Sequence, residues 1–289
     1  MAATVKYLFA LAAILLLGLV YYLKYRYKVP LVLKKIEIQP KGLPKEFDEL
    51  KIGHLTDLHC GNYPKGSNIL ETAIDMLMAE KPDIIFITGD VIERYVQEMR
   101  DQYPLLQKIK APKGVFSILG NHEYGPVKKY KGRNTIIDHV AEIEEVQRSL
   151  GWKLLLNQNH ILTIKKKKLA IIGVENHGTG RFPCEADLKK ASKGTEKADF
   201  RLLLSHDPSH WENQVVNTTP SIAITFSGHT HGISYLVSNE QRKIYHYTKY
   251  YGLYRHKHQY LYVCSGIGND KDYGRFLKPR EIAIITLKH

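Results

Sequence analysis

The chain has 289 residues, 44% of them hydrophobic, enough to bury the core of one good-sized domain or at most two small ones. A formal charge of +13 suits an anionic partner, whether a phospholipid surface, a nucleic acid or a phosphorylated substrate. Cys60, Cys184 and Cys264 have neither CxxC spacing nor an even count, which argues against a disulfide framework or a zinc ribbon and fits a reducing compartment.

From Tyr7 to Leu23 every residue is apolar, aromatic, Ala or Gly, a run of roughly 17 residues at the short end of the membrane-spanning range. Tyr21, Tyr22, Lys24, Tyr25, Arg26, Tyr27 and Lys28 form an aromatic and basic collar, as expected of an uncleaved anchor rather than a signal peptide with its small-residue cleavage site. Lys24, Arg26, Lys28, Lys34 and Lys35 after the run outnumber Lys6 before it, so the positive-inside rule predicts a cytoplasmic downstream domain; an outward-facing domain is the alternative. The expected organisation is an anchor over 1–28, a linker with a short strand over 29–46 and a main domain over 47–289.

Within the linker, Lys34 to Gln39 alternates like a strand, and Pro40-Lys41-Gly42-Leu43-Pro44 ends it. Short apolar runs then recur at Leu50–Thr56, Asp83–Thr88, Val115–Leu119, Leu169–Val174, Arg201–Leu204, Ala223–Phe226, Tyr260–Val263 and Ile282–Leu287, each reading as a strand. Between them, Ile69, Ala73, Ile74, Leu77 and Met78 share one helical face, and Ile136, Val140, Ile143 and Leu150 share another, so the pattern is α/β. Lys165 to Lys168, between two apolar stretches, reads as a solvated hairpin turn in preference to a nucleic-acid contact.

Polar residues gather at the ends of these strands, where open α/β sheets place their sites. Asp57 and His59 follow the first strand of the main domain, two residues apart, a spacing that points both side chains one way in extended backbone. Gly89-Asp90 follows the next strand, the Gly permitting a sharp turn that leaves the carboxylate in a crevice. Gly120-Asn121-His122-Glu123, Ser205-His206 and Gly228-His229-Thr230-His231-Gly232 complete a set of N and O donors suited to Mn, Fe or Zn. Cys60, next to His59, reads as a buried, inert thiol in preference to a ligand.

Singly these fragments are weak, but in this order they resemble the five motifs of the calcineurin-like metallophosphoesterases, from about residue 47 to the C-terminus. The resemblance implies a four-layer α/β/β/α sandwich, behind the N-terminal transmembrane helix, with two divalent transition-metal ions, Mn first and Fe or Zn otherwise. It implies Asp57, His59 and His231 on one ion, Asn121, His206 and His229 on the other, and Asp90 bridging, as expected of an anionic group with two donor oxygens. The implied nucleophile is a metal-bound hydroxide, with His122 stabilising the phosphoryl group or protonating the leaving oxygen and Glu123 orienting a histidine.

Lys128, Lys129, Lys131 and Arg133 either ring the metal cleft and hold substrate phosphates or form a solvated loop. Tyr245, Tyr247, Tyr250, Tyr251, Tyr254, Tyr260 and Tyr262, with Lys249, Arg255 and Lys257, suit either a headgroup surface or strand packing. The anchor, with Gly252-Leu253-Tyr254-Arg255, Tyr260-Leu261-Tyr262-Val263 and Pro279-Arg280-Glu281-Ile282, looks like the membrane-associated bacterial branch of the family, some members of which hydrolyse UDP-2,3-diacylglucosamine in lipid A synthesis. Where that branch often continues Gly-Gly-Gln after its last His, this chain has Gly232, Ile233 and Ser234. The expectation is therefore a phosphohydrolase of the bacterial inner membrane acting on a lipid-linked pyrophosphate, with a general envelope phosphodiesterase as the alternative. A nuclease and a non-catalytic scaffold come after these, and no nucleic-acid partner is expected.

Overall fold

The computed structural model describes residues 2–26, 30–63, 65–125, 133–179, 182–217, 222–238, 243–268 and 279–289. It divides into two units, residues 1–30 and 31–289. The first holds one helix, Ala2–Arg26, about 37 Å long at 1.5 Å per residue, with Tyr7, Phe9, Leu11, Ile14, Leu15, Leu16 and Leu17 all exposed. The side chains of its Tyr-Lys collar lie outside the described residues, and among the described residues no helix is long and apolar enough to cross a membrane. The transmembrane span expected at residues 7–23 is thus not found there, and anchoring stands as a proposal.

Among its described residues, the second unit contains fourteen strands. These are β1 (Leu31–Ile38), β2 (Lys51–Leu55), β3 (Ile84–Thr88), β4 (Val115–Ile118), β5 (Trp152–Leu154), β6 (Gln158–Ile164), β7 (Lys167–Gly173), β8 (Phe200–Leu204), β9 (Ile224–Ser227), β10 (Tyr235–Ser238), β11 (Lys243–His246), β12 (Gly252–His256), β13 (Gln259–Val263) and β14 (Arg280–Leu287). One six-stranded sheet runs β1-β14-β2-β3-β4-β5, the other β12-β13-β9-β8-β7-β6, and β10 and β11 form a separate hairpin. The β2-β3-β4-β5 and β13-β9-β8-β7 neighbours are parallel.

Period-2 alternation sorts the apolar residues into layers. In β3, Ile84 and Phe86 enter the core between the sheets while Ile85 and Ile87 face the helix Ile69–Ala79 through Ile74 and Leu77. In β8, Leu202 and Leu204 join the inter-sheet core, and Leu203 packs with Trp211 and Val215 on the opposite face. With both faces buried, the central strands read as unbroken apolar runs, which is why they were visible in the sequence. Phe86, Phe116 and Phe226 interlock edge-to-face at centroid distances of 4.9 and 6.3 Å.

The strand Leu31–Ile38 pairs with β14 along its whole length, so the second unit begins at Leu31. Lys165 and Lys166 form the β6–β7 turn with positive φ. The described tyrosines of the late segment serve internal contacts. Tyr262 bonds to the buried Glu281, Tyr251 donates to the same carboxylate at 2.8 Å, and the Tyr254 hydroxyl accepts from the Tyr250 and Tyr251 amides.

Candidate metal centre

The C-terminal ends of β2, β3 and β4 in one sheet and of β8 and β9 in the other converge on one rim. There the structure brings together two clusters whose ligand atoms lie within 4.8 Å of one another: Asp57, His59 and His231, and Asp90, His206 and His229. A further group of His59, Asp90 and His122 links them. Cys60 is buried and belongs to none of these groups; burial pushes its thiol pKa up.

The backbone at the site departs from the extended form expected for Asp57 and His59. Asp57, His59, Asp90, His229 and His231 have φ of 50, 45, 52, 71 and 49°. Left-handed backbone disfavours ordinary L residues by about 1–2 kcal/mol each, so five such residues store strain that surrounding bonds must hold. Asp57 N–H donates to Gly89 O and His59 N–H to Asp90 O, both at 3.0 Å. The Asp57 carboxylate accepts from Thr56 Oγ1 at 2.7 Å and from His229 N–H at 3.1 Å, tying the two sheets at the rim. Gly228 has no room for a side chain, because its Cβ would fall on Thr56 Oγ1 and Asp57 Oδ2.

Glu123 does something other than orient a histidine. Its Oε2 accepts from the amides of Asp90 at 2.9 Å and Gly120 at 2.7 Å, and its Oε1 from Val91 at 2.7 Å and Ile92 at 3.2 Å. One buried carboxylate therefore pins the loops carrying Asp90 and Asn121. Histidine orientation falls to Glu93, which the sequence reading passed over: its Oε2 sits 2.8 Å from His59 Nδ1 and accepts from Asn62 at 2.6 Å. Gly89-Asp90 at the end of β3 was the available signal, since a carboxylate three residues further along a tight turn returns to the same rim.

Asp90 Oδ1 accepts the His122 N–H at 2.9 Å, while Oδ2 lies 3.1 Å from His206 Nε2 and 3.9 Å from His59 Nε2. Oδ2 thus faces His59 and His206, one from each cluster, while Oδ1 holds the His122 amide. His206 Nδ1 donates to Thr88 O at 2.6 Å, turning Nε2 inward. His122, half-buried, puts Nδ1 2.7 Å from the Glu93 carbonyl, with its ring 4.6 Å from that of His59. Lys128 and Lys129 lie outside the described residues, as does the side chain of Arg133, which opens the helix Arg133–Ser149.

Burial opposes ionisation of Asp90, but His206, His122 and His59 outweigh it and hold the carboxyl well below the ordinary carboxylate range. Burial likewise opposes the charged form of His206, yet Asp90 and Asp57 raise its pKa to about 10. His229 moves the other way, to about 3, through burial and the nearby His206. Asp57 moves up, chiefly through burial, so the carboxylates and imidazoles of the centre depend on one another for charge balance, which a bound cation would supply. His59 Nε2 and Asn121 Oδ1 are buried without hydrogen-bond partners among the described residues. Inward-facing donors of this kind, N and O only, fit divalent transition metals.

Hydrolysis of phosphoesters with divalent metal ions is the chemistry this fold and donor set define, and the chain is of that enzyme class. It belongs to the calcineurin-like phosphoesterase family, whose family model matches residues 50–232. The metallophosphoesterase YkuE of Bacillus subtilis is 28% identical over 275 residues, 91% of this chain and 88% of that protein. A Danio rerio relative, named a transmembrane protein with metallophosphoesterase domain, is 26% identical over 272 residues, covering 88% of this chain but 56% of its own length. Among solved structures, the NAD nucleotidase of Haemophilus influenzae is similar at a TM-score of 0.48 and 16% identity, over 75% of this chain and 45% of that one.

Proposed function

We propose that the protein is a two-metal phosphohydrolase working at a membrane surface, with Asp57, His59 and His231 on one ion and Asn121, His206 and His229 on the other. Asp90 would be the ligand shared by the two, and the position of its carboxylate between His59 and His206 is the observation that carries the reading. Bound ions would supply Lewis acidity and an activated water. Around them, Glu93 holds His59, the Thr88 carbonyl holds His206, and Glu123 keeps the Asp90 and Asn121 loops in register. His122, with Nδ1 on the Glu93 carbonyl, presents the rest of its ring to the phosphoryl group as the acid for the leaving oxygen.

The favoured substrate is a lipid-linked pyrophosphate, for which UDP-2,3-diacylglucosamine is the test compound. Two observations support a membrane-borne substrate. The sequence run from Tyr7 to Leu23 within the helix Ala2–Arg26 is apolar, which suits contact with lipid. The second unit is also entered at its catalytic end: Leu31 pairs with Arg280, the next residue Glu281 donates to Gly266 O at 2.8 Å, and Gly266 abuts Asp57. On this reading the anchor sits in the bacterial inner membrane with the catalytic domain in the cytoplasm, and Lys128, Lys129 and Arg133 engage the diphosphate.

The test uses the full-length protein in detergent with Mn²⁺. UDP-2,3-diacylglucosamine should be cleaved to UMP and the lipid phosphate with efficiency well above that for UDP-N-acetylglucosamine. Equal rates on both, or turnover of bis(p-nitrophenyl) phosphate with neither sugar nucleotide cleaved, would replace the lipid substrate with a general envelope phosphodiesterase.

A further inference from the structure

The three histidines described above differ in what holds the ring nitrogen turned away from the centre. His59 has the Glu93 carboxylate, from the loop after β3, and His206 has the carbonyl of Thr88, the last residue of β3. For His229 the partner is a phenol from far along the chain: Nε2 lies 2.8 Å from Tyr247 Oη. With Nε2 so engaged, Nδ1 is the nitrogen left for an ion. Tyr247 Oη in turn donates to Asp207 Oδ2 at 3.4 Å, and that oxygen is itself 3.7 Å from His229 Nε2. Asp207 is fully buried, with Oδ1 fixed by the Ser209 N–H at 2.8 Å, which leaves Oδ2 to face the tyrosine.

Tyr247 directly follows the β10–β11 hairpin, which comes after the His229–His231 loop. Its amide donates to Ser234 O at 2.8 Å, closing the hairpin's base, and its side chain is buried. The His229 ring is further confined between two edge-on aromatics, Phe182 at 5.0 Å and Tyr247 at 5.4 Å. An imidazole that ligates through Nδ1 carries its proton on Nε2 and donates; a phenol can accept that bond and donate onward; a carboxylate can only accept. Proton direction is therefore consistent along His229, Tyr247 and Asp207.

We propose that Tyr247, backed by Asp207, is a positioning residue for the ion held by His206 and His229, fixing the His229 tautomer and ring so that Nδ1 points at the metal. The proposal rests on the two-metal reading above. Partners of metal-ligating histidines typically contribute 10- to 100-fold in metal affinity, and here the effect should fall on one ion only.

The experiment loads detergent-solubilised full-length protein with Co²⁺ and follows its visible absorption while a chelator competes, resolving two binding steps. Tyr247→Phe keeps the ring and its edge contact and removes one oxygen. It should weaken one step 10- to 100-fold, leave the other within about threefold of wild type, and restore kcat on bis(p-nitrophenyl) phosphate at saturating metal with KM unchanged. Asp207→Asn should move the same step in the same direction, and it decides the matter if Tyr247→Phe melts far below wild type in EDTA. Two wild-type-like steps in both variants, or equal weakening of both steps, would overturn the positioning role while leaving the two-metal reading intact. A wild-type protein that binds no Co²⁺ at all would remove both.

Discussion

Gly266→Ala is the substitution whose effect follows most directly from the geometry at Asp57. Gly266 has φ +68, and a Cβ built there would stand 2.6 Å from both Asp57 Cβ and Thr56 O. Unbonded carbons prefer about 3.5–4.0 Å, so roughly 1 Å of movement is forced on the strand end that carries Asp57. Left-handed backbone at Ala costs about 1–2 kcal/mol and overpacking about 1–3 kcal/mol more. The sum, about 2–5 kcal/mol, lowers Tm by on the order of 10 °C in a domain of this size. Gly252→Ala separates the two contributions, because Gly252 has φ +88 with nothing within 4 Å of the added carbon. That variant should lose only a few degrees and keep both ions. Gly266→Ala should lose the ion on Asp57 and about 100-fold in rate, the scale expected of a 1 Å misplacement. Differential scanning calorimetry with metal analysis measures both. Wild-type metal content and rate in Gly266→Ala would refute the reasoning.

His122→Ala should keep both ions and lose about 10²- to 10⁴-fold in kcat, since the Asp90 contact is to the His122 backbone amide, whereas His206→Ala should lose metal. Equal metal content in the two variants, read by plasma emission, would show the separate roles to be wrong. Glu123→Gln turns an acceptor for four amides into a group with one acceptor oxygen, and should destabilise the metal-free protein by about 3 kcal/mol in denaturant titration. An unchanged midpoint would mean that the loops do not depend on it. C-terminal reporter fusions should fluoresce in the cytoplasm, whereas alkaline phosphatase activity from such a fusion would place the catalytic domain on the envelope side.

How much could be read from the sequence depended on distance along the chain. Ile84–Thr88 was recognisable because both faces of β3 are buried, so every position from Ile84 to Ile87 is apolar before Thr88, Gly89 and Asp90 end the run. The order of the metal motifs was recognisable for the same reason, each following such a strand. What escaped was set by contacts across the fold. Tyr247 looks like a surface tyrosine beside Lys249 until the hairpin carries it to His229, and Gly266 has no motif around it and matters only because Asp57 lies against it. Glu123 was adjacent to a recognised ligand yet acquired a different role, since its four donors come from loops after β3 and β4. The left-handed backbone at Asp57 and His59 also could not be foreseen, because extended geometry gives the same two-residue spacing a simpler explanation.

The most direct test of the account is the metal content and turnover of Asp90→Ala beside the wild type. Asp90 Oδ2 faces both clusters, so its removal should affect both ions at once, unlike the loss of any single histidine. Wild-type protein should bind two divalent ions per chain and hydrolyse bis(p-nitrophenyl) phosphate only with metal supplied, and Asp90→Ala should retain neither the ions nor the activity. Near-normal turnover by Asp90→Ala, or by wild type in excess chelator, would contradict the two-metal centre.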